Sequence, residues 1–390
     1  MRSLWIVLCS LFYFLPLSAT EGEILFVGYD AGETSIWLQL TKGWKPQPSY
    51  TLLTMTTATS VAKNAGASHH LDISTLGVLC PAQHRHDRLQ TSDLEKLNQL
   101  HPKVVVTGLY STPQLQIAKY FALRGALVIG VWDNFTTCDR LPSELVANVA
   151  DWMSLCFAIL TPSKSIATDL NTRFHSTKAV AMGQPTIDAW VQDFKAIDRK
   201  RALKRARFKA ELPTVVYYTG YAEKDNCYEE AFRIFAQSLK EVEKPYQLLI
   251  QLHPRSDGSF ERKTLELLEQ ETETFPTYFI SHPSKDLSSM EAAAISYVNF
   301  CHRTTLALQA LFAGKPFIHV DVPETPYTNF AIQQGILPQL TDTPSVATFL
   351  NKHLHGYYVN PHDLYTQSGI VANGTDRMRG YLQALLTQPK

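Results

Sequence analysis

The sequence has no excess of one charge and no grouping of metal-binding residues. Lys plus Arg and Asp plus Glu each number 36 among 390 residues, so the formal net charge is zero. This balance argues against a general nucleic-acid binder, which would normally carry a basic excess. The cysteines and histidines do not fall at the spacings of zinc ligands, so we expect neither a structural zinc site nor a metal requirement.

Cysteine is also scarce. The chain has six cysteines, of which Cys9 lies in the N-terminal segment. The other five are scattered along the chain: Cys80, Cys138, Cys156, Cys227 and Cys301. Five cysteines can form at most two disulfides, so we expect a fold that does not depend on them.

The first 20 residues differ from the rest of the chain. Arg2 supplies a positive start, residues 4–17 are uncharged and strongly apolar, and Ser18-Ala19-Thr20 offers small residues for cleavage. This order is typical of a secretory signal peptide, so we expect export to a periplasm, the cell exterior or a secretory lumen. Leu17 is unfavourable three positions before a cut, and an uncleaved membrane anchor at residues 4–19 remains the alternative.

The composition is that of a globular protein, and the chain is long enough for two domains. Hydrophobic residues make up 45% of the chain and charged residues 18%. Apolar, strand-like runs such as residues 24–27 and 104–106 alternate with helix-like segments, and the alternation restarts at residue 214. The pattern predicts an α/β protein with parallel sheets. We expect a signal peptide or anchor at 1–20, a first domain at 21–195, a linker helix at 196–212, a second domain at 213–370 and a C-terminal helix at 371–390.

The segment between the two halves is strongly basic. Residues 198–209 begin with Asp198 and are then rich in Lys and Arg, and we expect them to form a helix. The simplest interpretation is a solvated connecting helix, and contact with a membrane surface or another polyanion is the alternative.

Residues 294–320 read as a strand, a polar loop, a helix, a turn and a second strand. Thr304 or Thr305 can cap the helix, and Gly314 followed by Lys315-Pro316 ends it. A helix N-terminus just beyond the carboxyl end of a strand suits a phosphate group, although an ordinary βαβ unit has the same pattern.

Polar residues follow several predicted strands, where parallel sheets place their binding sites. In the first half they are Tyr29, Asp30, Gly32, Glu33, Gly108, Ser111, Thr112, Asp133 and Asn134. In the second half they are Gly220, Tyr221, His253, Arg255, His302, Arg303, Thr304, Thr305 and Glu324. If the two sets face each other, they form an interdomain site. Asp30 can equally serve as a helix cap.

Four segments, in this order, resemble the GT-B fold of nucleotide-sugar glycosyltransferases and UDP-N-acetylglucosamine 2-epimerases. The turn Gly28-Tyr-Asp-Ala-Gly32 follows the first strand, and Gly183-Gln-Pro-Thr-Ile-Asp188 resembles a G-x-P-x-x-D segment. His253-Pro-Arg255 resembles the H-P loop of these enzymes. Thr304-Thr305 with Ala310-Leu-Phe-Ala-Gly-Lys-Pro316 resembles the S-x-x-x-E-A-x-x-x-G-K-P donor-site signature.

The resemblance implies two Rossmann-like domains facing across a cleft, with the acceptor on the first and a nucleotide sugar on the second. It implies phosphate contacts from His253, Arg255, Arg303, Thr304 and Thr305, and it places Glu324 near the ribose. Asp30 or Asp133 would be the base that activates an acceptor hydroxyl, with Gly32 and Glu33 beside the substrate. Such transfer needs no metal when cations stabilise the departing diphosphate.

The residues leave the function open among three interpretations. The first is transfer of a phosphate-linked sugar to a glycan or glycolipid, and the second is an epimerase or polyol-phosphate transferase on the same fold. The third is an exported, non-catalytic binding protein, which is favoured by the signal segment and by Gln309, where the resembling enzymes usually have Glu.

Overall fold

The computed structural model describes residues 23–78, 85–135, 137–138, 143–220, 226–323, 330–333, 335–356 and 364–387. The strands are β1 (Ile24–Gly28), β2 (Tyr50–Thr54), β3 (His70–Asp72), β4 (Val104–Gly108), β5 (Leu127–Val131), β6 (Ala158–Thr161), β7 (Ala179–Ala181), β8 (Thr214–Tyr218), β9 (Gln247–Gln251), β10 (Thr277–Ser281), β11 (Val298–Cys301), β12 (Phe317–Val320) and β13 (Gln339–Leu340).

The α-helices alternate with these strands, as the sequence predicts. They are α1 (Ala31–Thr41), α2 (Thr56–Asn64), α3 (Thr91–Glu95), α4 (Thr112–Ala122), α5 (Ser143–Leu155), α6 (Lys164–Arg173), α7 (Pro185–Asp193), α8 (Arg199–Ala206), α9 (Asn226–Ser238), α10 (Ser259–Glu271), α11 (Ser289–Ile295), α12 (Leu306–Phe312), α13 (Phe330–Gln333), α14 (Thr343–His353), α15 (Leu364–Ser368) and α16 (Gly374–Thr387).

Two parallel sheets organise the described chain. The first has seven strands in the order β3-β2-β1-β4-β5-β6-β7, and the second has six in the order β10-β9-β8-β11-β12-β13. The central strands β1, β4, β8 and β9 are buried along their whole length. Helices therefore cover both faces of each sheet, which explains why these strands are continuous apolar runs instead of alternating ones. The α/β prediction is confirmed.

The two domains touch through helices at the carboxyl ends of the strands. Helix α7, which follows the first sheet, packs against α12 of the second. Ile187 on α7 belongs to the same buried apolar cluster as Leu308, Leu311 and Phe312 on α12. This contact holds the ends of the two sheets in a fixed relation, so polar residues at both ends can share one site.

The C-terminal helix α16 returns to the first domain. Its residues Met378, Leu382 and Leu385 are buried in the same apolar cluster as Ile24 and Phe26 of β1. The last helix therefore completes the core on one face of the first sheet.

Two glycines allow α16 to approach the first domain. Gly183 has a φ of +94°, and a Cβ there would lie 2.3 Å from the carbonyl oxygen of Val371. A Cβ on Gly374 would lie 2.5 Å from the backbone nitrogen of Gln184. The two backbones are in direct contact, so neither position has room for a side chain.

The basic linker helix is α8. Its apolar residues Ala202, Leu203 and Ala206 are buried against the second domain, and Arg205 forms a 2.6 Å ion pair with Glu291 of α11. Lys200, Arg201 and Lys204 are exposed, as expected for a solvated connecting helix. Its contact with a membrane stays a prediction.

Four of the sequence predictions fall outside the described residues: the N-terminal segment, Cys80, Tyr221 and Glu324. Cys138, Cys156 and Cys301 are buried, and Cys227 is half-buried. Among the described helices, none combines the length and the apolar character needed to cross a membrane.

Gly374→Ala should lower the free energy of unfolding by about 1–3 kcal/mol, because the added methyl group meets backbone atoms that cannot move aside. Gly380→Ala is the matched control in the same helix, since a Cβ there meets nothing within 4 Å and should stabilise by up to about 1 kcal/mol. Denaturant unfolding of the two variants measures the difference. Equal stability of both variants would contradict the close backbone contact.

Candidate active site in the interdomain cleft

A polar cavity of about 260 Å³ lies between the two domains. The first domain lines it with Asp30, Gly32, Arg85, Tyr110, Asp133, Asn134, Gln184 and Thr186, and the second with Thr305 and Gln309. Six of these were singled out from the sequence: Asp30, Gly32, Asp133, Asn134, Thr305 and Gln309. The fold thus brings residues about 280 positions apart in the chain to one site.

Asp30 is fixed at the cavity by the start of α1. Its Oδ1 accepts hydrogen bonds from the backbone N–H groups of Gly32 (3.0 Å) and Glu33 (3.4 Å). The Glu33 carboxylate in turn accepts from the backbone N–H of Tyr29 and, at 3.1 Å, of Asp30. These bonds form a capping box. Asp30 thus caps α1 and also lines the cavity, so its two predicted roles, helix cap and site residue, are compatible.

Asp30 and Asp133 flank the backbone of Gly32. A Cβ on Gly32 would lie 3.5 Å from Oδ1 of Asp30 and 3.5 Å from Oδ2 of Asp133. The two carboxyl groups therefore converge on the same point from the ends of β1 and β5.

Glu33 lies behind these two residues and is 2% exposed. Its Oε1 accepts a 2.9 Å hydrogen bond from Nε2 of Gln114 on α4. A Cβ on Gly108, at the end of β4, would lie 1.6 Å from Oε2 of Glu33, so the buried carboxyl group needs a glycine at that position. Burial is the main cause that raises the pKa of Glu33 well above its usual value, and the charges of Asp30 and Asp133 add to it.

Asp133 has a raised pKa as well. Burial, followed by the neighbouring charge of Asp30, raises the pKa of Asp133 to about 7. A carboxyl group with this pKa exchanges protons near neutral pH, so it can act as a general acid or a general base.

The second domain contributes the first turn of α12. Thr305 precedes the helix, but its side chain makes no capping hydrogen bond, whereas Oγ1 of Thr304 accepts from the N–H of Leu306 at 3.3 Å. The Nε2 of Gln309 donates to Oγ1 of Thr186 at 2.9 Å, across the domain boundary. Gln309 therefore connects the domains at the rim of the cavity.

Arg303 precedes these residues in a left-handed backbone conformation, with a φ of +43°. Its Nη2 donates to Oδ1 of Asp321 at 3.3 Å. Asp321 is 1% exposed and also accepts from the N–H of Val322 and from Nε2 of Gln339, each at 3.0 Å. Sequence reasoning missed Asp321, which follows β12 and holds the Arg303 side chain. Arg303 does not itself line the cavity.

His253 and Arg255 lie in the loop after β9, outside the lining of this cavity. The N–H of His253 donates to Oγ1 of Thr219 at 2.7 Å, and Nδ1 of His253 accepts from the N–H of Arg255 at 3.2 Å. Burial, followed by the charge of Arg255, lowers the pKa of His253 to about 4, so the ring is neutral at pH 7. Arg255 reaches the first domain, where its Nη2 donates to Oγ1 of Thr57 at 3.3 Å.

Arg255 also lines a second cavity, of about 440 Å³, together with Arg262, His282 and Lys285. The structure thus divides the sequence candidates between two neighbouring surfaces of the second domain instead of joining them in one pocket. Across the described ranges, no group of three or more His, Cys, Asp and Glu side chains is arranged to hold a metal ion.

Four lining residues were not among the candidates from the sequence: Arg85, Tyr110, Gln184 and Thr186. Gln184 and Thr186 belong to the Gly183–Asp188 segment, which drew attention only as evidence for the fold. Tyr110 follows β4 by two residues, so its position at a strand end was a usable signal. Arg85 lies in a connection without a recognisable pattern.

The raised pKa of Asp133 predicts a pH dependence of stability. Because an unfolded aspartate has a pKa of about 4, the folded protein binds more protons between about pH 4 and pH 7, and its stability falls as pH rises through that window. Asp133→Asn removes this loss. Across this window the free energy of unfolding of the variant should therefore rise relative to that of wild type by up to about 1.4 kcal/mol per pH unit.

Denaturant unfolding at about pH 5 and about pH 8 tests this prediction. The pKa of Glu33 is also raised, so part of the pH dependence of stability remains in the Asp133→Asn variant. Asp151→Asn, at an exposed surface carboxylate, is the control and should parallel wild type. Parallel curves for wild type and Asp133→Asn would contradict the assigned pKa.

No protein-family model matches the chain, and no curated protein matches its sequence. Solved structures do resemble it. The UDP-GlcNAc 2-epimerase from Neisseria meningitidis bound to UDP-GlcNAc is 14% identical, with a TM-score of 0.64 over 93% of this chain and 99% of that chain. The UDP-GlcNAc 2-epimerase from Methanocaldococcus jannaschii is 12% identical, with a TM-score of 0.67 over 93% and 99%.

The wall teichoic acid polymerase TagF, in a structure soaked with CDPG, is 13% identical, with a TM-score of 0.57 over 95% of this chain and 91% of that chain. At such low identities these likenesses concern the architecture and not the activity. They agree with the two all-parallel sheets and the interdomain cleft described above. The chain has the GT-B fold, with two Rossmann-like domains facing each other across a cleft.

Proposed function

We propose that the chain is an enzyme that binds a nucleotide sugar, or another phosphate-linked sugar, in the interdomain cleft and transfers the sugar to a glycan or glycolipid hydroxyl. The observation that carries this proposal is the convergence of Asp30 and Asp133 on Gly32, opposite Thr305 and Gln309 of the other domain. An acid/base pair on one domain and a polar helix start on the other suit a two-substrate reaction.

Asp133 is the proposed general base. Its raised pKa makes its carboxylate more basic than an ordinary aspartate, so it accepts the proton of an attacking hydroxyl more readily. Asp30, held by the capping box, keeps a second carboxyl group beside it. His253, Arg255, Arg303, Thr304 and Thr305 are proposed to bind the diphosphate.

The position of the proton on His253 and the charges of Arg255 and Arg303 suit contact with a diphosphate. Since Nδ1 of His253 accepts a backbone N–H, the neutral ring carries its proton on Nε2 and can donate there to a phosphate oxygen. Arg255 and Arg303 add positive charge that stabilises the departing diphosphate. Glu324 remains the proposed ribose contact.

Epimerisation of a nucleotide sugar is the second candidate. It needs one group to remove a proton and another to return it, and a converging carboxyl pair fits that requirement. Several solved structures that resemble the chain over nearly their full length carry the name UDP-GlcNAc 2-epimerase. Transfer of a polyol phosphate is a related possibility, since TagF is a wall teichoic acid polymerase.

Titration of the purified protein with UDP, CDP and GDP tests the nucleotide-binding claim. Calorimetry should detect one of the three at millimolar concentration or below. Binding without turnover of any conjugate would favour the exported binding protein, and absence of binding would exclude both enzyme candidates.

Asp133→Asn and Asp30→Asn should each lower kcat by about 100-fold or more, because each removes a group that can transfer protons. Asparagine retains the shape of the side chain and, at position 30, the ability to cap α1. Turnover of the nucleotide sugar accepted by wild type is the measurement, and Asp151→Asn is the control. Undiminished turnover in Asp133→Asn would reject its role as base.

Reaction in D2O separates the two candidates. Transfer of a sugar leaves its carbon-bound hydrogens in place, whereas epimerisation replaces one of them from the solvent. We expect mass spectrometry of the recovered nucleotide sugar to show no deuterium. A gain of about one mass unit that disappears in Asp133→Asn would favour the epimerase instead.

A further inference from the structure

Gln184 lies in the connection between β7 and α7, at the wall of the cleft cavity. Its side chain is 2% exposed. The backbone is held on one side by the left-handed turn at Gly183 and on the other by the close approach of Gly374. The fold therefore fixes the backbone position of Gln184 beside Asp133.

The orientation of the Gln184 amide follows from its neighbour. The Nε2 atom donates a 3.2 Å hydrogen bond to the backbone carbonyl oxygen of Asp133. A carbonyl oxygen can only accept, so the reversed amide would bring two acceptors together. The amide nitrogen is therefore fixed on the protein, and Oε1 is the atom left for another partner.

Within the part of the chain that the structure describes, Oε1 of Gln184 has no hydrogen-bond partner although it is buried. Buried side-chain acceptors without a partner are uncommon and cost free energy. Such an atom on the wall of a polar cavity is expected where a ligand supplies the missing donor.

We propose that Gln184 is a specificity-determining residue whose Oε1 accepts a hydrogen bond from a hydroxyl or amide N–H group of the sugar bound beside Asp133. This inference rests on the proposed function. The atom is an acceptor, so it favours a group that carries a proton and disfavours a phosphate oxygen, which has none to donate at neutral pH. The sugar, and not the diphosphate, therefore occupies this part of the cavity.

A buried acceptor also discriminates between sugars. A sugar that lacks the matching hydroxyl or amide leaves Oε1 unpaired in the closed site and binds less tightly. Position 184 thus selects the substituent on one carbon of the sugar, while Asp30 and Asp133 act on the reacting atoms.

Calorimetry with nucleoside diphosphates and their sugar conjugates tests this assignment. The quantity of interest is the ratio of the affinity for the conjugate to that for the free nucleotide. Gln184→Met removes the acceptor at nearly constant volume, and it should lower the ratio by about three- to tenfold. Binding of the free nucleotide should stay unchanged, which also verifies that the variant is folded.

Gln192→Met, at an exposed residue of the helix α7 that follows Gln184, is the matched control and should leave the ratio unchanged. Conjugates in which one hydroxyl or amide group of the sugar is replaced by hydrogen provide a second measurement on wild type, in which one position should lose the same three- to tenfold factor. An unchanged ratio in Gln184→Met, an equal loss for the free nucleotide, or a series of these conjugates without effect would overturn the inference while leaving the proposed function intact. A wild-type protein that binds no nucleotide would contradict the proposed function and this inference with it.

Discussion

The burial of carboxyl groups where β1, β4 and β5 end is the constraint on which the site depends. Glu33 is enclosed because Gly108 leaves room for it and Gln114 supplies a hydrogen bond. Charged carboxylates are costly in such surroundings, so the pKa values of Glu33 and Asp133 are raised, that of Asp133 to about 7. The same packing that stabilises the sheet thus creates a proton-exchanging group at the cleft, as is common in active sites.

A second constraint fixes the side of the cleft that the second domain contributes. Gly183 and Gly374 bring the C-terminal helix against the first domain, and the turn that contains Gly183 leads directly into α7. Because α7 packs on α12, the position of Gln309 relative to the carboxyl pair is set by helix packing and by its bond to Thr186. Geometry at the cleft is therefore a property of both domains together.

The sequence predicted the fold well because its signals are local. Continuous apolar strands such as β1 and β5 imply parallel sheets, and the residues that follow them, such as Asp30 and Asp133, line one cavity. Burial is not local, so the sequence could not reveal the enclosure of Glu33 or the bond between Arg303 and Asp321. Nor could it separate the His253 loop from the cavity lining, since that separation depends on which way each loop turns.

A crystal structure with a bound nucleotide sugar tests the central claim most directly, namely that both domains build one site at the carboxyl ends of their sheets. The account predicts a sugar between Asp133 and Gln309, with the nucleotide against the second domain. A sugar found outside the cleft, for instance in the cavity between the loops that follow β9 and β10, would contradict it.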